Sequence, residues 1–111
     1  MDITFRTHRI GQIMCSSKEL VLEYGKENAT LIKRRMAFLE AAPCLADVPA
    51  ERPCRRHQLK GRLAGYFAVD VKHPFRLIFR PTNEPLQYKS DGGLDLVRVT
   101  AIEIFGVEDY H

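Results

Sequence analysis

The chain has 111 residues, of which 45% are hydrophobic and 28% charged; that balance supports one packed core and argues against disorder. The length excludes Rossmann and barrel enzymes, which need far more chain, and no apolar run approaches the roughly 18 residues of a membrane span. The opening Met1-Asp2-Ile3-Thr4-Phe5-Arg6 lacks the basic-then-apolar layout of a signal peptide, so a single cytoplasmic domain over 1–111 is expected. The net charge of +3 says little until its distribution is read. Between Arg52 and Arg80 there are eight cations and one anion. The rest of the chain is therefore net acidic, and the basic segment is the footprint of a polyanion partner.

In chain order, Asp2 to Arg6 alternates, with Ile3 and Phe5 on one side, and reads as a short strand. Ile10, Ile13 and Met14 suggest a helical turn. Ser16-Ser17-Lys18-Glu19 fits a capping box, so a helix should follow with Leu20, Val21 and Tyr24 buried. Gly25 is its natural C-terminal cap. A second helix is expected from about Glu27 to Ala42. Its apolar stripe is Ile32, Met36 and Leu39, flanked by Ala29, Leu31 and Phe38, with Lys33, Arg34 and Arg35 mostly on the outer side. Pro43 stops it. The two helices should form an antiparallel hairpin.

The segment 43–53, with prolines at 43, 49 and 53, reads as a crossover. Gly65 to Lys72 reads as a strand with Phe67, Val69 and Val71 on one face. After a turn at Lys72-His73-Pro74 comes Phe75 to Arg80, with Phe75, Leu77 and Phe79 on one face and Arg76, Ile78 and Arg80 on the other. The segment 81–95 is polar and reads as an extended loop or flap. Leu96 to Val107 is the longest β-rich run and is expected to be a central last strand. The order is β-α-α-β-β-β. It predicts an α+β fold, a small antiparallel sheet with an N-terminal helical hairpin on one face.

Three places can carry chemistry. In Arg55-Arg56-His57-Gln58-Leu59-Lys60-Gly61 a titratable imidazole sits among cations, a field that favours its neutral, basic form. Lys60 and the arginines can hold a phosphate and stabilise charge building on it. Arg76 and Arg80 share one sheet face, near Lys72 and Tyr66, and can floor a phosphate site. The terminal Glu108-Asp109-Tyr110-His111 follows directly on the last strand, so Tyr110 can stack on a base and His111 can be a second acid or base. Cys15, Cys44 and Cys54 are odd in number and form no CxxC pair, so free thiols are expected. The His and Cys spacing offers no metal site.

Together these segments resemble the HigB-like branch of the RelE/ParE toxin superfamily, the "killer" or plasmid-maintenance toxins of type II toxin–antitoxin modules. The resemblance is carried by Arg56-His57-Gln58-Leu59-Lys60-Gly61, Leu63-Ala64-Gly65-Tyr66, Phe75-Arg76-Leu77-Ile78-Phe79 and Asp109-Tyr110-His111, and the element order agrees over nearly the whole chain. It implies a ribosome-dependent endoribonuclease (an mRNA interferase) that needs no metal or cofactor. The ribose 2′-OH attacks the scissile phosphate, leaving a cyclic phosphate and a 5′-OH end. Catalytic roles fall by the resemblance on His57, Lys60, Arg76, Asp109, Tyr110 and His111. Arg55, Arg56, Arg62, Lys72 and Arg80 are expected to bind RNA phosphate. The implied partners are the ribosome, mRNA and a cognate antitoxin, a HigA-like helix-turn-helix protein; no membrane is involved. Alternative readings on the same fold are a ParE-like gyrase inhibitor and a non-catalytic RNA- or protein-binding module. Segments 43–53 and 81–95 look longer than in compact family members.

Overall fold

A computed structural model describes residues 1–109. Strand β1 (Asp2–Phe5) leads into three helices, α1 (His8–Met14), α2 (Ser17–Tyr24) and α3 (Lys26–Ala41). Strands β2 (His57–Gln58), β3 (Phe67–Asp70), β4 (Phe75–Pro81) and β5 (Ala101–Asp109) complete one sheet in the order β1-β5-β4-β3-β2. The α+β class and the central last strand are as expected. Several details differ.

First, the turn at Ile10–Met14 is a full short helix, because the Thr7 hydroxyl accepts the Ile10 N–H at 3.1 Å and caps it. Second, β1 runs parallel to β5, with Ile3 opposite Ile102 and Phe5 opposite Ile104; the sheet is mixed rather than purely antiparallel. Third, β2 is an additional edge strand, and the expected strand 65–72 is trimmed to Phe67–Asp70. The Leu96–Val107 run also divides: Leu96–Arg98 is a 3₁₀ turn, and only Ala101 onward joins the sheet.

The helices cover one sheet face. Ile32 and Leu39 of α3 and Leu20 of α2 are buried with Val69, Leu77, Phe79, Ile102 and Ile104. Burying each such side chain contributes about 1.5–3 kcal/mol. Val21, expected inside, is 43% exposed, and Phe38 is equally so. The Ser16 hydroxyl caps α2 through the Glu19 N–H at 3.2 Å. The Glu19 carboxylate, however, lies 3.5 Å from Arg9 and the Ser16 N–H goes to the Ile13 carbonyl at 3.2 Å, so half of the expected capping box forms. Gly25, at φ 83°, ends α2 and starts α3. The crossover over 43–53 contributes to the core, since Leu45 and Val48 are fully buried.

The other sheet face is only partly covered. A 3₁₀ turn at Gly61–Leu63 lays Leu59 and Leu63 over Ala68 and Ile78. A β-bulge between β4 and β5 interrupts the alternation here, and Phe105 lies on this side with Ile78, whereas a Cβ at Gly106 would meet Ile10 of α1 at 3.6 Å. Gly106 has φ 148°, a conformation that residues with a Cβ rarely adopt. The rest of this face carries charged side chains, and the candidate site lies here.

Candidate functional site

Pairing places the first motif. His57 is opposite Ala68, and Ala68 is opposite Ile78, so His57 shares the open face with Ile78 and with Arg76 two residues before it. Asp70 is opposite Arg76, and Arg76 is opposite Glu108. One row across three strands is therefore Asp70, Arg76, Glu108. A groove of about 550 Å³ lies here, lined by Arg55, His57, Gln58, Leu59, Lys60, Gly61 and Arg76. Three expected catalytic residues, His57, Lys60 and Arg76, thus line one groove. Gly61, at φ 64°, makes the left-handed step that carries the chain from Lys60 into the 3₁₀ turn.

The imidazole is oriented by its own backbone. His57 Nδ1 is 2.7 Å from the Arg55 carbonyl oxygen. A carbonyl only accepts, so Nδ1 carries the proton and donates it. Proton exchange is then left to Nε2. Arg55 adopts φ 47°, uncommon for a residue other than glycine. The Arg55–Asp70 pair holds this bend.

Asp70 organises the cations. Arg55 grips it at both ends, Nε to Oδ2 at 2.6 Å and Nη2 to Oδ1 at 2.9 Å. This hydrogen-bonded carboxylate raises the Arg55 pKa above its ordinary value. Arg76 Nε lies 3.6 Å from Asp70 Oδ1, and the Arg76 side chain is only 18% exposed. Arg35 of α3, expected on the outer side, is buried and donates Nε to the Asp70 backbone carbonyl at 2.7 Å. A packed guanidinium held beside a carboxylate has little conformational freedom left to lose when it meets a phosphate.

The remaining predicted residues are spread more widely than the sequence suggested. Arg62 is exposed and pairs with Glu108 at 3.8 Å, beside the groove. Arg56 donates Nε to the Val48 carbonyl at 2.8 Å and ties down the crossover. Lys72 reaches Glu27 of α3 at 2.7 Å, on the helical side; it does not join the phosphate floor. Arg80 is on the open face but four residues along β4 from Arg76, paired with Glu103 at 3.1 Å. Asp109 is opposite Phe75, so the β5 residue beside Arg76 is Glu108. Tyr110 and His111 lie outside the described residues.

Sequence reading missed Asp70, Arg35 and Glu108. Asp70 stood out only as the single anion of the basic segment, and that isolation was the available signal. Arg35 gave none, because its burial depends on the pairing of α3 with the end of β3.

No family model matches the chain, and no curated protein matches it. Solved structures do. The chain superposes over its full length on 97% of a chain in a YoeB-YefM complex from Staphylococcus aureus, at TM-score 0.56 and 16% identity. A heterotetrameric YoeB-YefM toxin–antitoxin complex from the same organism gives 0.55 at 16% identity, with the same coverage. A YoeB/ParE toxin from Agrobacterium tumefaciens gives 0.58 at 14% identity, with both chains covered completely. At such identities it is the fold that is shared: this chain has the fold of the YoeB/ParE toxins.

Proposed function

We propose that this protein is the toxin of a type II toxin–antitoxin module, acting as a ribosome-dependent endoribonuclease through the His57 groove. The observation that carries this reading is the oriented imidazole: Nδ1 is tied to the Arg55 carbonyl, and Nε2 is left for proton exchange among Arg55, Lys60 and Arg76. The fold shared with YoeB/ParE toxins supports it. The HigB-like motif supplies the branch.

In this mechanism the guanidinium of Arg76 and the Lys60 ammonium hold the scissile phosphate and offset its growing negative charge. The 2′ oxygen forms a bond to phosphorus as its proton leaves, and the bond from phosphorus to the 5′ oxygen breaks. The products are a 2′,3′-cyclic phosphate and a 5′-OH. His57 exchanges one of the two protons through Nε2. Asp109, Tyr110 and His111 complete the acid–base set by the family motif. Arg55 acts through Asp70 as a positioning residue. Arg62 adds charge at the groove edge. The partner that silences the toxin is a cognate antitoxin, of the HigA-like helix-turn-helix type by the same resemblance. Ribosome and mRNA place the protein in the cytoplasm. No described helix is long and apolar enough to cross a membrane.

The test is cleavage of mRNA on purified ribosomes. His57→Ala should slow cleavage at least about 100-fold, and Arg76→Ala by a comparable factor. Far-UV circular dichroism would show that each variant folds. Wild-type rates in both folded variants would refute the assignment. Growth arrest with inhibited gyrase and intact RNA would favour the ParE-like alternative.

A further inference from the structure

The segment 81–95, read from sequence as an open flap, is a small folded arm. Asn83 fastens its base to β5: its Oδ1 accepts the Thr100 and Ala101 N–H groups, and its Nδ2 donates to Thr100 Oγ1 at 2.9 Å. Tyr88 and Leu94 bridge as antiparallel partners. The Lys89 N–H reaches the Gly93 carbonyl at 2.7 Å, and the Asp95 N–H reaches the Gln87 carbonyl at 2.9 Å. Leu94 packs against the main core. The arm is thus set at a fixed place over the end of the sheet.

Between the arm and the sheet lies a second cavity of about 350 Å³. Its walls include Tyr66, Tyr88, Leu86, Arg80 and Gln58. Its size is at the small end of ligand pockets, which run from about 300 to 1,000 Å³. Two phenol rings offer apolar π-surface, while a guanidinium and an amide offer polar partners. Tyr66 is steadied from behind by an edge-on contact with Phe105, at 5.5 Å between centroids, and Tyr88 is 62% exposed. Gln58 lines both this cavity and the His57 groove, so the two are adjacent. Arg80 lies four residues beyond Arg76 on β4, about 13 Å at the usual strand rise.

We propose that this cavity is a nucleobase subsite, taking one unstacked base of the same RNA strand whose phosphate lies in the His57 groove. It rests on the nuclease reading for its substrate. The chemistry fits a base better than an isolated phosphate. Aromatic faces give stacking, and the Arg80 Nε is already engaged by Glu103 at 3.1 Å, which fixes the guanidinium for hydrogen bonding to a base edge. The arm thereby biases which nucleotide stands next to the cut.

The experiment uses the full chain and a set of short 2′-O-methyl RNA oligonucleotides that cannot be cleaved, differing only in base identity, with binding followed by fluorescence anisotropy. Wild type should discriminate among the bases. Tyr88→Ala should bind the preferred oligonucleotide about tenfold more weakly and lose the discrimination. Tyr88→Phe should retain both, as stacking requires and a structural hydroxyl would not. Leu22→Ser, an exposed change on α2, is the control and should bind as wild type does. Equal binding of all oligonucleotides by wild type, or unchanged binding by Tyr88→Ala, would overturn the proposal. Because the ligands are uncleavable, Tyr88-dependent discrimination would uphold the subsite even if no cleavage were found; cleavage with base-independent binding would remove the subsite and leave the nuclease reading intact.

Discussion

At the scale of single residues, Asp70 has the widest reach. Its carboxylate is gripped by Arg55 and flanked by Arg76, and its carbonyl accepts from the buried Arg35. Replacing it with asparagine keeps the shape and removes the charge that holds two guanidinium groups in place. Asp70→Asn should lower the unfolding free energy by about 1–2 kcal/mol, since the pair is partly exposed and solvent screens it. Urea denaturation measures that. Under the proposed mechanism the same change lowers cleavage more than it lowers RNA affinity, because the cations remain but lose their orientation. The sequence made His57, Lys60 and Arg76 legible because each announces itself by residue type: an imidazole among cations, and an arginine whose strand neighbours are core residues. Asp70, Arg35 and Glu108 acquire their roles from pairing between distant segments, which no local pattern records. Lys72 was misplaced because it lies past the end of β3, where strand alternation no longer dictates direction and Glu27 captures the ammonium.

At the scale of elements, strands and helices followed their periodicity closely. Failures came where side-chain caps or non-local pairing decide. Thr7 extends a turn into α1, and β2 is a strand only because β3 pairs with it. The arm over 81–95 gave turn signals but no hint of its anchorage, in which the Asn83 amide acts beside the Thr82–Ala101 backbone bond and the packing of Leu94. Asn83→Ala removes three hydrogen bonds at once and should free the arm while leaving the sheet folded. Trypsin cleavage after the exposed Lys89 should then accelerate on the order of tenfold, with the thermal midpoint shifting much less. An unchanged cleavage rate would mean that the Thr82–Ala101 bond and Leu94 packing hold the arm without it. Under the proposed base subsite, loss of the arm should also weaken base discrimination, as is expected of Tyr88→Ala.

At the scale of the whole molecule, the α+β class and the central last strand were legible from the order of periodic segments. The parallel pairing of β1 with β5 was not, since a four-residue strand carries no direction signal. Charge was legible as a total but not as a surface. The basic segment splits between the groove, the crossover and the helical side, so the charge gathered at the groove is smaller than the cation count implies. If Lys60, Arg76 and the groove-edge Arg62 set the phosphate contacts, affinity for single-stranded RNA should fall with salt at a log–log slope of about −2. A slope several times steeper, measured by anisotropy between low and physiological salt, would point to a larger basic surface than this groove.

The most direct test of the central claim is induced expression of wild type and His57→Ala in a bacterial host, with mRNA 5′ ends mapped after induction. Wild type should arrest growth and produce 5′-OH ends inside translated codons, and His57→Ala, at equal soluble level, should do neither. Arrest with intact mRNA, or equal cleavage by both proteins, would contradict an RNA-cleaving groove built on His57.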